Sequence, residues 1–98
     1  MGARPQFTNE PDTGERLMVI DFVAAAGQTL PEPDAIMPNV WARPGTVGKP
    51  VVQENPDTGG IRLAFSFDPG EAGMAELRAQ LRQDGKPLSE VWLYRWTI

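Results

Sequence analysis

Cysteine and histidine are both absent from this chain. Without cysteine there is no disulfide, no thiolate nucleophile and no cysteine-ligated zinc or iron–sulfur centre. That lack fits either redox compartment. Without histidine, the commonest general base and the commonest transition-metal ligand are gone. Carboxylates remain as the groups that could move protons or bind calcium. Positive charge is also scarce. Nine Lys and Arg stand against 13 Asp and Glu, for a net charge of −4. Phosphate contacts need clustered basic residues, so nucleic acid is not expected as a partner. No run approaches the roughly 18 consecutive apolar residues of a membrane span, so no membrane insertion is expected. The first residues lack the charged start and apolar run of an export signal.

Ten prolines and ten glycines are present in 98 residues, too many for long helices. They fit short strands separated by turns. An apolar share of 41% suits one globular core in a chain of this length. Residues 1–15 carry little periodic signal and read as a poorly structured lead-in, with a turn at Pro11-Asp12-Thr13-Gly14. Residues 16–98 read as the folded domain.

The first clear strand is Leu17 to Phe22. Its near-continuous apolar run implies burial on both faces or a place in the middle of a sheet. Ala24-Ala25-Ala26-Gly27 reads as a short turn. Leu30-Pro31-Glu32-Pro33-Asp34 reads as an extended connection, because its two prolines remove two N–H donors. Asn39 to Arg43 is a short strand ended by Pro44-Gly45. Val51 to Gln53 is another, at an edge. Pro56-Asp57-Thr58-Gly59 repeats the earlier turn 45 residues on. Turn chemistry is the favoured reading of both copies, with an internal duplication as the rival. Ile61, Leu63, Phe65 and Phe67 then share one face of an alternating strand.

Glu71 to Arg82 is ambiguous. Met74, Leu77 and Leu81 have helical spacing, whereas Leu77, Ala79 and Leu81 alternate. Local propensity favours helix. Strand is the better reading from about Glu76, because Asp84-Gly85 is a strong type I′ hairpin signal and Leu88 to Trp96 needs a partner strand across it. With Gln83 opposite Lys86, residues whose numbers sum to 169 oppose each other. Leu81 then faces Leu88, Leu77 faces Trp92, and Ala75 faces Tyr94. One face collects Leu77, Ala79, Leu81, Leu88, Trp92, Tyr94 and Trp96. The other carries Arg78, Gln80, Arg82, Ser89, Val91, Leu93 and Arg95. Glu90 is a misfit on the apolar face. The sum is about seven short antiparallel strands: an all-β, immunoglobulin-like sandwich, with a small closed barrel as the rival.

Little here suggests chemistry. Asp12/Glu15, Glu32/Asp34 and Asp68/Glu71 are close carboxylate pairs. All three sit in expected turns, where Asp bonds its own backbone. No catalytic residue, cofactor or metal site is expected. The aromatics divide. Trp92 and Tyr94 read as core, while Trp41 and Trp96 are the candidates for stacking on a sugar ring, Trp96 because it stands near the end of the chain. Arg78, Val91, Leu93 and Arg95 form a mixed face that could dock on another domain.

Three segments carry a resemblance: Asn55-Pro-Asp-Thr-Gly-Gly-Ile-Arg-Leu63, Glu76-Leu-Arg-Ala-Gln-Leu-Arg82 and Lys86-Pro-Leu-Ser-Glu-Val-Trp-Leu-Tyr-Arg-Trp96. Together they are similar to the C-terminal end of the periplasmic glucans biosynthesis protein G/D family, and Val19-Ile-Asp-Phe22 and Leu30 to Asp34 fit as well. The Pro-Leu-Ser-Glu-x-Trp-x-Tyr segment is the most specific part. The resemblance implies a much longer exported protein that acts in making osmoregulated periplasmic glucans with a β-1,2-linked backbone. It also implies a separate N-terminal β-sandwich domain carrying the catalytic acids of a hydrolase or transglycosylase. This chain would be the immunoglobulin-like accessory domain packed on it, and no catalytic residue carries over. The implied partners are that catalytic domain, and glucan or other proteins of the glucan pathway. A glucan-binding module is the alternative.

Overall fold

The computed structural model describes residues 2–9 and 16–97. Among them are nine strands and one 3-10 turn, Pro33–Ala35. The first sheet holds β1 (Gly2–Asn9), β2 (Arg16–Val23), β6 (Gly60–Asp68), β4 (Thr46–Val47) and β5 (Val51–Asn55). Its order is β1-β2-β6, with β4 and β5 both along the far side of β6. The second sheet holds β3 (Met37–Arg43), β7 (Met74–Gln83), β8 (Lys86–Pro87) and β9 (Trp92–Thr97). There β3 lies on one side of β7, with β8 and β9 on the other. All these pairings are antiparallel. This is the A-B-E-D and C-F-G strand order of constant-type immunoglobulin domains, with the fourth strand of the first sheet split in two.

The core lies between the sheets. Met18, Ile20 and Phe22 of β2 and Ile61, Leu63, Phe65 and Phe67 of β6 meet Ala75, Leu77, Ala79 and Leu81 of β7, with Trp92 and Trp96 of β9. Immunoglobulin domains of antibodies often staple this space with a disulfide. Here close packing of apolar side chains fills it.

Strand β2 is central, between β1 and β6. It is not buried on both faces: Met18, Ile20 and Phe22 point inward, while Leu17 and Val23 are exposed. Strand β6 alternates as its sequence requires. The stretch from Met74 is strand despite its helix-forming residues, because β3 and β9 pair along both of its edges.

Several expectations are corrected. Residues 1–15 hold more than a lead-in: Gly2–Asn9 pairs with β2 along its full length, from Gly2 opposite Val23 to Asn9 opposite Arg16. The first Pro-Asp-Thr-Gly turn and the Asp12/Glu15 pair lie outside the described residues. The second turn forms around Asn55, whose carbonyl accepts from Gly59 N–H at 2.8 Å and whose Oδ1 accepts from Asp57 N–H at 3.1 Å. The Leu30 to Asp34 connection is extended only in part, since Pro33 opens the 3-10 turn.

The hairpin turn is type I′, with Asp84 at φ 51° and Gly85 at φ 78°. Gln83 opposes Lys86 and Arg82 opposes Pro87, as the spacing predicts. Beyond Pro87 the register changes. Trp92 opposes Ala79, Tyr94 opposes Leu77 and Trp96 opposes Ala75, so numbers now sum to 171. The cause is a bulge over Leu88 to Val91. Leu88 and Ser89 both donate their N–H to the Leu81 carbonyl, at 2.8 and 3.2 Å. The Ser89 hydroxyl accepts the Leu81 N–H at 2.9 Å, taking over the ladder bond that Leu88 would otherwise make. Ser89 is therefore buried, not on the outer face, and Glu90 swings out to solvent. Because the slip is two residues, β9 keeps its face assignment.

Candidate functional site

Alternation in β3, β7 and β9 decides what the second sheet shows to solvent. Inward positions of β7 are Ala75, Leu77, Ala79 and Leu81, so Met74, Glu76, Arg78, Gln80 and Arg82 point outward. The β3 register sets Arg43 beside Glu76, Trp41 beside Arg78 and Asn39 beside Gln80. The β9 register sets Leu93 beside Arg78 and Arg95 beside Glu76 on the other side. Two cross-strand rows result: Trp41–Arg78–Leu93, and Arg43–Glu76–Arg95. Val91 lies just ahead of β9 at one end of this face.

All four candidate docking residues, Arg78, Val91, Leu93 and Arg95, are exposed on this surface. Trp41, singled out for a different reason, stands in the same row. The central row is open, with apolar residues on both sides of Arg78. Leu93 is 66% exposed and Trp41 is 44% exposed, with Met37, Met74 and Val91 around them. In antibody domains the Trp of this strand is buried in the core. Here Val40 and Ala42 take the inward positions and Trp41 points out.

Charge on these strands is mostly positive: Arg43, Arg78, Arg82 and Arg95 against Glu76. The Arg78 guanidinium lies 5.9 Å from the Trp41 ring centroid, within cation–π range. Arg95 Nη2 bridges Glu76 Oε1 at 3.4 Å, an exposed pair that adds little stability. Arg82 folds along the hairpin, donating to Gln80 Oε1 at 3.0 Å and to the Gly85 carbonyl at 2.6 Å. A groove of about 340 Å³ runs beside the central row, lined by Trp41, Glu76, Arg78, Leu93, Tyr94 and Arg95. A second hollow, of about 240 Å³, adjoins Trp41 and Arg78 on the side of Asn39, Gln80 and Val91.

The other aromatics are placed differently. Trp96 is corrected as a sugar platform: it is 5% exposed. Small Ala75 opposite it leaves room for the indole to turn inward. There it meets Phe67 edge-on at 5.5 Å, and the Arg16 guanidinium lies 4.8 Å from the ring centroid. Trp92 is buried as expected. Tyr94 shares its face but is 39% exposed, because β9 is an edge strand. It stacks on Trp92 with ring centroids 5.5 Å apart.

The first sheet's outward positions on β2 and β6 are organised around an ion pair. Arg62 Nε donates to Asp21 Oδ1 at 2.8 Å and Nη2 donates to Oδ2 at 3.2 Å. This hydrogen bond, and then the Asp21 charge, push the Arg62 pKa above its ordinary range against a small desolvation effect. The two carboxylate pairs among the described residues lie at turns. Asp68 Oδ1 accepts the Gly70 N–H at 2.8 Å, closing a turn, and Glu32 precedes the 3-10 turn. Among the described residues no cluster of three or more acidic side chains could hold a metal, and no helix is long and apolar enough to cross a membrane.

Comparison with known proteins gives a consistent set of relatives. A family model described as periplasmic glucan biosynthesis protein, MdoG, matches residues 1–96. Glucans biosynthesis protein G of Vibrio cholerae serotype O1 is 42% identical over 87 residues, which is 88% of this chain and 15% of that protein. The protein of the same name from Shewanella frigidimarina is 43% identical over 86 residues, again 88% of this chain and 15% of the relative. That from Rhodopseudomonas palustris is 46% identical over 85 residues, 85% of this chain and 16% of the relative. The chain thus spans about 15% of the length of the curated relatives it matches.

Proposed function

The chain belongs to the periplasmic glucan biosynthesis protein family MdoG, and we propose that it serves there as a non-catalytic, immunoglobulin-like accessory domain of a longer protein. That protein works in the periplasm in the synthesis of osmoregulated glucans, and its catalytic acids lie in a separate β-sandwich domain. The domain described here packs on that larger part through the outer face of β3, β7 and β9.

The supporting observation is the central row, Trp41–Arg78–Leu93. Its residues are exposed, contiguous and rich in the types that anchor interfaces. Among the described residues Asp21 pairs with Arg62, Glu76 with Arg95, and Asp68 closes a turn, uses that support a non-catalytic role. The test is a titration of the isotope-labelled chain with the rest of the longer protein, followed by NMR. Amide shifts confined to β3, β7 and β9 are expected. Shifts confined to β2, β5 and β6 would overturn the choice of face.

A second reading, a β-glucan-binding module, is favoured by one observation. Trp41 presents an exposed ring beside a groove. Tryptophan emission titrated with β-1,2-gluco-oligosaccharides, with Trp41→Phe to assign the change, separates the two readings. A saturating change supports the module, and a flat response into the millimolar range removes it.

A further inference from the structure

We infer that the surface which docks on the outer face of β3, β7 and β9 sets acidic groups opposite its arginines, Arg78 at the centre among them, between apolar contacts to Trp41 and Leu93, and that it belongs to the same longer polypeptide. This deepens the docking reading above and rests on it.

The argument starts from charge. The whole chain carries a net charge of −4. Yet the three strands of this face expose Arg43, Arg78 and Arg95, with Arg82 along the hairpin, against the single carboxylate of Glu76. Glu76 is already engaged by Arg95. Covering this face with a neutral surface would strip water from guanidinium groups without replacing it, which is costly. A partner must therefore bring carboxylates opposite Arg78 and Arg43, where each planar guanidinium can donate two parallel hydrogen bonds to a carboxylate. Around Trp41 and Leu93 it must bring apolar atoms, because those side chains make no such demand.

Size and connectivity point to the same polypeptide as the occupant. Three strands about 4.8 Å apart and roughly 20 to 33 Å long offer on the order of 400 Å², which fits one side of an interface between domains of one chain. Relatives are several times longer than this chain. A surface tethered on the same polypeptide meets the face at a high effective concentration, so even a modest area suffices. Arg78 is the residue on which the charge argument turns. It lies in the central row, flanked by Trp41 and Leu93, where pairing is best shielded from solvent.

The test is hydroxyl-radical footprinting, read by mass spectrometry, on the whole protein and on the 98-residue chain. At low salt, Trp41 and Leu93 should be oxidised at least about fivefold more slowly in the whole protein, as expected for buried interface anchors. Leu17 and Val51 on the other sheet should be oxidised equally in both. Arg78→Glu in the whole protein should return Trp41 oxidation to the rate of the isolated chain, and Arg78→Gln should do so in part. High salt should act in the same direction. Near-UV circular dichroism confirms that each variant is folded. Protection of Trp41 that survives both Arg78→Glu and high salt overturns the acidic surface and leaves the docking reading standing. Absence of protection at Trp41 overturns both. Protection that appears only on adding a β-1,2-gluco-oligosaccharide also overturns both, in favour of sugar binding.

Discussion

On the inner face of the β3–β7–β9 sheet, Trp92 and Trp96 are buried against the first sheet. On its outer face Trp41 stands open beside Leu93 and a group of arginines. Both faces are built from the same strands, and both carry tryptophan. What separates them is the parity of each position and what the register places opposite it. Ala75 and Ala79 give the inner tryptophans room to turn inward. Arg78, flanking Trp41, keeps the outer row polar enough to remain in water. Tryptophan content therefore says little about a binding surface until the register is known.

The sharpest way to break this comparison is to truncate one tryptophan from the inner face. Trp96→Ala should lower stability by about 3–5 kcal/mol, the usual cost of a large core truncation. Urea denaturation measures it, and a loss below about 1 kcal/mol would show that the edge strand does not close the core. Next comes the device that sets the register. Ser89→Ala removes the acceptor for the buried Leu81 N–H and should cost about 1–3 kcal/mol, with faster amide exchange at Leu81. Exchange at Leu81 that stays unchanged would mean another group takes the bond. Gly85→Ala places a Cβ at positive φ and should cost about 1 kcal/mol in the same denaturation assay. On the outer face, Leu93→Ser should alter the stability of the chain alone by no more than about 0.5 kcal/mol. It should nevertheless remove the amide shifts that the rest of the protein induces.

Much of this arrangement was legible beforehand, and the parts that were not share a cause. Strand β6 and the Asp84-Gly85 turn were readable because alternation and turn chemistry are local signals. Strand β1 is not legible in its own sequence, because Gly-Ala-Arg-Pro-Gln-Phe-Thr-Asn has almost no alternation; its identity comes from its ladder with β2. The bulge is not legible either, because nothing local shows that a serine hydroxyl will replace a backbone acceptor. The sharing of one face by Arg78, Val91, Leu93 and Arg95 followed from the hairpin parity, which an even slip preserves. Trp41 could not be added to them from sequence, because the pairing of β3 with β7 is long-range. For the same reason Trp96 passed for an exposed ring and Tyr94 for a buried one. Both depend on how far the first sheet covers an edge strand.

The outer face matters only if something covers it, and that can be measured as a difference in one substitution. Trp41→Ala should be introduced twice, in the 98-residue chain alone and in the whole protein, with the stability change determined for each. Alone, the change should stay within about 0.5 kcal/mol, as for other surface positions. In the whole protein the same substitution should cost about 2 kcal/mol or more, as expected of an interface anchor. Equal and near-zero changes in both settings would contradict the account.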